Sequence, residues 1–103
     1  MIRATVRFEV LYGHWMDALE ICTEIDKQCQ AKGLQPTKIL APLAGKGNTM
    51  VCESDYESLA DYEREGEVYN SDPEIMKNTR RLGGVTVQGS TWVELLEEAP
   101  TLA

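Results

Sequence analysis

The chain has 103 residues, 43% hydrophobic and 26% charged, with 17 acidic against 10 basic side chains and a net charge of −7. That length fits a single domain, residues 1–103, with one core, about 65% of its extended surface being buried at this size. The apolar fraction excludes a disordered chain, the acidic balance argues against a nucleic-acid or anionic-membrane partner, and no apolar run approaches the ~18 residues of a membrane span.

Ile2, Ala4, Val6, Phe8 and Val10 alternate with Arg3, Thr5, Arg7 and Glu9, which predicts a strand over residues 2–11 with one apolar face. Charges inside this alternation also argue against a secretion signal. Tyr12-Gly13 breaks the pattern. From His14 to Lys32 the period becomes helical, with Trp15, Ala18, Leu19, Cys22, Ile25 and Cys29 on one stripe and Gly33 as the stop. Residues 37–44 and 49–53 read as a β-hairpin around Gly45-Lys46-Gly47-Asn48, with Pro42 marking an edge or bulge.

Ser54-Asp55-Tyr56-Glu57 has capping-box spacing and predicts a helix start there. Ser71-Asp72-Pro73-Glu74 is a second such box, with proline in the first turn, so residues 65–70 read as a break between two helical pieces. The second piece carries Ile75, Met76, Thr79 and Leu82 and stops at Gly83-Gly84. Lys77, Arg80 and Arg81, the densest cationic group, read as its C-terminal turn, where cations favour the helix dipole. Residues 85–96 read as a long last strand interrupted by Gly89. The order is β-α-β-β-α-β with the second helix split: a ferredoxin-like α+β fold with a four-stranded antiparallel sheet.

Two helices cover one sheet face. On the last strand Trp92 and Leu96 share the other face with Thr86, Gln88 and Ser90, and a tryptophan there is better covered than wet. A second copy packed face to face covers it, so a homodimer is expected. Cys22, Cys29 and Cys52 are odd in number, and Cys22 and Cys29 stand about 10 Å apart along one helix, beyond the ~7 Å Cα reach of a disulfide. Free thiols in a reducing cytoplasm are the expectation.

The strand RATVRFEV followed by Gly13 and a helix, and the passage MVCESDYESLADYERE followed by a second short helix and a last strand, resemble the dimeric α+β-barrel superfamily. Within it, residues 2–97 are most similar to NIPSNAP-like and antibiotic-biosynthesis-monooxygenase-like small proteins. The resemblance implies a homodimer whose two sheets build one eight-stranded barrel, with a pocket between sheet and helices in each subunit. It also implies cofactor-independent oxidation or cyclisation of aromatic substrates, with no cofactor. Arg7, Tyr62, Tyr69, Arg80 and Trp92 are the pocket positions it suggests.

The residues themselves carry little chemistry. No spacing of His, Cys or acidic residues fits a metal site, no Gly-x-Ser-x-Gly occurs, and GKGN is a turn and not a phosphate loop. His14, the only histidine, reads as a helix-start residue; its alternatives are a pocket acid/base and a haem or metal ligand. Glu63, Glu65 and Glu67 read as a solvated helix face. Tyr12, Tyr56, Tyr62, Tyr69, Trp15 and Trp92 can stack on a planar ligand or complete the core rim. Two functions follow. In the first, a small aromatic or apolar molecule is bound, Tyr62 and Tyr69 orient it, and His14 or Arg80 handles a proton or enolate. In the second, the barrel is a non-catalytic interaction module.

Overall fold

The alternation of the first strand sets the two faces of the sheet. In the structure, a computed structural model that describes residues 1–102, β1 (Ile2–Glu9) pairs antiparallel with β3 (Thr49–Tyr56) on one side and β4 (Trp92–Glu97) on the other, and β2 (Lys38–Leu40) pairs with β3. The strand order β2-β3-β1-β4 is the ferredoxin-like arrangement expected. Between the strands run α1 (Trp15–Ala31), α2 (Leu59–Ser71) and α3 (Pro73–Gly83). The register puts Ala4, Val6 and Phe8 with Met50 and Cys52 on the helix face, and Arg3, Thr5 and Arg7 with Glu53, Asp55, Trp92 and Glu94 on the open face.

The core sits toward one end of the sheet. Phe8, Val10 and Met50 meet Ala18 and Cys22 of α1, with Leu82 and Val85 packed alongside. α3 reaches this region with Ile75 fully buried, and its buried Asn78 donates to Gln28 Oε1 (3.0 Å) and accepts from Arg81 Nη1 (2.7 Å). α1 and α3 therefore pack through a satisfied polar pair as well as apolar contact.

Several boundaries correct the sequence expectation. β3 does not stop at Glu53 but pairs with β1 as far as Ile2↔Tyr56, so the Ser54–Glu57 box never forms. A non-local contact decides this, since Arg3 Nε and Nη2 hold the Asp55 carboxylate at 2.9 and 3.3 Å across the strands. The α2 cap is Ser58, whose Oγ accepts from Asp61 N at 3.1 Å. α2 also runs unbroken through residues 65–70, and the break falls at Asp72. That residue takes an extended conformation before Pro73, and it, not Ser71, caps α3 through Ile75 N at 2.9 Å.

β2 is limited to three residues, the chain leaving the ladder just before Pro42. The last strand begins only at Trp92. Upstream, Thr86 makes an isolated bridge to Val10 and Val87 N donates to Glu9 O, before the chain turns at Gly89 with a φ of 80° that favours glycine.

The cap assignment is testable. Ser58→Ala should lower the unfolding free energy by about 1 kcal/mol in a urea titration, whereas a helix starting at Ser54 would leave that substitution neutral.

Candidate functional site

α2 is a helix without a single buried residue. It spans the half of the sheet that the core leaves uncovered, and beneath it lies a cavity of about 750 Å³, within the usual range of small-molecule sites. The floor is the helix face of the sheet: Ala4, Val6 and Phe8 of β1 and Cys52, Ser54 and Tyr56 of β3. α1 supplies Cys22, Ile25, Asp26 and Cys29, at the i, i+3, i+4, i+7 spacing that puts them on one helix stripe. α2 supplies Tyr62, Gly66 and Tyr69 at i, i+4, i+7, flanked by Glu63, Glu65 and Glu67.

Hydrogen bonds at defined points hold α2 over this space. Glu65 Oε1 accepts from Gln35 N at 2.7 Å, tying the helix to the α1–β2 loop. The Tyr69 hydroxyl lies 3.0 Å from Thr79 Oγ1, and Thr79 itself donates to Ile75 O at 2.9 Å. The threonine proton is thus committed, so Tyr69 is the donor and its phenol oxygen keeps a free lone pair. Burial pushes Tyr69 above its ordinary pKa; burial and the nearby Glu65 do the same for Tyr56. Tyr56 of the floor and Tyr62 of α2 meet edge to face, with centroids 5.3 Å apart at 82°. Asp26 joins α1 to the start of β2 by accepting from Thr37 N at 2.8 Å and from Gln30 Nε2 at 2.9 Å.

The three cysteines are free and all line the cavity. Contact with Cys22, together with burial, pushes the Cys52 thiol far up, and the hydrogen bond from Cys52 draws Cys22 down. Burial, with Asp26, Asp72 and Glu65 nearby, pushes Cys29 up to about 11. Cys29 and Cys52 are therefore neutral lining groups at physiological pH.

Of the residues singled out from the sequence, Tyr62 and Tyr69 come together in the cavity. The pleat of β1 sends Arg7 to the opposite face, where it stacks 5.8 Å from the centre of the Trp92 ring and lies 3.6 Å from Glu94. Tyr12 is fully exposed in the β1–α1 turn. His14 occupies the N-cap position of α1 at the surface, its Nδ1 3.0 Å from Asp17 Oδ2. Arg80 is exposed on α3. None of these five lines the cavity.

Sequence reasoning missed the acidic lining. Asp26 within an otherwise apolar α1 stripe was the available signal. Among the described residues, no group of three or more His, Cys, Asp or Glu could hold a metal ion, and no helix is long and apolar enough to cross a membrane.

No protein-family model matches the chain, and no curated protein is found similar to it. Solved structures do match. A NIPSNAP domain protein from Burkholderia xenovorans superposes with a TM-score of 0.81 at 14% identity, over 100% of this chain and 99% of that one. A NIPSNAP family protein from Agrobacterium tumefaciens gives 0.80 at 17%, over 95% and 92%. SnoaB, a cofactor-independent oxygenase from Streptomyces nogalater, gives 0.68 at 16%, over 98% and 95%. An antibiotic biosynthesis monooxygenase gives 0.75 at 9%, over 97% and 100%. The chain has the fold these proteins share, as the resemblance implied.

Gly66 lies inside α2 with nothing within 4 Å of where a Cβ would stand. Gly66→Ala should therefore stabilise the protein by about 0.5–1 kcal/mol through helix propensity alone, read as a raised urea midpoint at unchanged slope.

Proposed function

We propose that the chain binds a small, mostly apolar or aromatic molecule in the cavity beneath α2, with Tyr62 and Tyr69 orienting it. The observation that carries this reading is the cavity itself: a helix that buries none of its residues is held over about 750 Å³ of space lined by three tyrosines. A barrel that was only structural has no use for such a void, because filling it with side chains stabilises the fold. The fold shared with SnoaB, a cofactor-independent oxygenase, supports cyclisation or cofactor-independent oxidation as the accompanying chemistry; in the oxidation dioxygen is the oxidant, a substrate CH2 becoming C=O with release of one water, while the protein supplies shape and hydrogen bonds. A specific observation favours a second reading, binding without turnover: among the described residues neither histidine nor lysine lines the cavity, so the side chains best suited to general acid–base work are absent from it.

The open face supports a homodimer. Trp92, Leu96 and Leu40 expose 59%, 47% and 41% of their surface beside the Arg3–Asp55 and Arg7–Glu94 pairs. An eight-stranded barrel of two sheets covers this face and leaves one cavity per subunit on the helix side. The three free thiols fit a reducing compartment such as the cytoplasm.

Binding is tested by calorimetry with 2-naphthalenemethanol, an uncharged aromatic probe. It should bind in the micromolar-to-millimolar range expected of a fragment, and Gly66→Phe, which grows a ring into the cavity, should abolish that binding without unfolding the protein. Absence of binding to the unsubstituted chain defeats the proposal in favour of a structural module. Native mass spectrometry should show a species near twice 11.5 kDa, reduced to a folded monomer by Trp92→Glu. A monomer before substitution rules out the barrel.

A further inference from the structure

Every charged side chain that lines the cavity is acidic: Asp26, Glu63, Glu65 and Glu67. No lysine, arginine or histidine lines it. Asp26 and Glu65 are committed to backbone and glutamine N–H donors. Glu63 and Glu67 are exposed at the rim and, among the described residues, form no ion pair. The four carboxylates thus present a one-signed field over an apolar interior, where field lines concentrate.

The aromatic lining points the same way independently of the acids. Tyr56 and Tyr62 meet edge to face, so one face of one ring is covered by the edge of the other while their remaining faces are not engaged in this pair, and Tyr69 adds a third ring. The face of each ring carries negative quadrupole potential and attracts cations, the arrangement by which aromatic cages hold substituted ammonium groups. Tyr69 offers an oxygen lone pair rather than a proton, its own proton being engaged with Thr79. The carboxylates and the Tyr69 oxygen carry full or partial negative charge and favour a positively charged group, whether or not it has an N–H to donate.

We infer that the ligand is a cationic amphiphile: a protonated or quaternary amine on an aromatic or apolar body. This rests on the preceding proposal that the cavity is a binding site. The body lies against Val6, Phe8, Ile25 and Leu34, while the ammonium group meets the tyrosine faces and the Glu63–Glu67 rim. A carboxylate or phosphate ester of the same body meets four like charges and no counter-ion.

The test compares three probes with one ring system by calorimetry at low salt: 2-naphthylmethyl-trimethylammonium, 2-naphthalenemethanol and 2-naphthoate. The ammonium should bind about tenfold tighter than the alcohol, and the carboxylate more weakly than either. Because the whole chain carries −7 and attracts any cation, two double variants separate local from global charge. Glu63→Gln/Glu67→Gln should bring the ammonium-to-alcohol ratio toward one. Glu20→Gln/Glu98→Gln, which neutralises two exposed acids outside the cavity lining, should preserve it. An alcohol that binds as tightly as the ammonium, or an equal fall in both double variants, overturns the charge preference while leaving the cavity a binding site. Failure of all three probes overturns the binding reading and this inference with it.

Discussion

The architecture depends on the backbone restriction that Pro73 places on Asp72. Proline disfavours helical geometry in the residue before it, and Asp72 accordingly sits at φ −89°, ψ 117°. Without that break, a continuous helix from Leu59 to Gly83 would run about 37 Å and could not turn into the core. With it, α3 swings inward to bury Ile75 and Asn78, while α2 is left bridging the uncovered part of the sheet. The same aspartate secures the joint. It caps α3 and pairs with Lys32 at the end of α1, and the lysine and the Ile75 N–H together hold its carboxyl below the usual range. One dipeptide thereby separates the helix that makes the core from the helix that makes the cavity.

The two faces of the sheet solve opposite problems with one period-2 pattern. On the helix face the apolar row of β1 passes from core to cavity floor: Phe8 is buried in the core and also borders the cavity, Val6 packs against the core's edge, and Ala4 lies on the floor. On the other face the charged row is paired across strands, Arg3 with Asp55 and Arg7 with Glu94. Thr5, between the two arginines, is only 3% exposed. Exposed pairs of this kind contribute little stability individually; their effect is to fix register, since a one-residue slip would send every arginine into the apolar layer.

The sequence was most legible where a single periodicity governed a long segment. β1 and α1 read directly, because alternation over residues 2–10 and the stripe from Trp15 to Cys29 admit one period each. Legibility failed where a local rule competed with a distant partner. Ser54 and Glu57 have the spacing of a cap, but Arg3, 52 residues away from Asp55, keeps that segment in the ladder. Residues 65–70 look like a break because the second capping-box spacing, Ser71 to Glu74, implies an interruption ahead of it. They are helical, the interruption being confined to the single extended residue Asp72. For the site, Tyr62 and Tyr69 were visible as amphipathic rings able to stack on a planar ligand and as positions the family resemblance suggested. The acids beside them were not separable from a solvated helix face, since only the fold shows which way the carboxylates look. Arg7 and Trp92 share the reason for their misplacement: pocket residues and open-face residues alternate along the same strands.

The unburied underside of α2 has a consequence for how the molecule breathes. A segment that buries little apolar surface has a low free energy of local opening, whereas core elements open only with the whole domain. α2 is held by its own helical hydrogen bonds, the Ser58 cap, the Glu65–Gln35 contact and the Tyr69–Thr79 pair. Its amides should therefore exchange sooner than those of α1, which carries Ala18, Ile21, Cys22 and Cys29 into the interior. On that footing the wall of the cavity should open and re-form at lower cost than the sheet, α1 and α3 unfold.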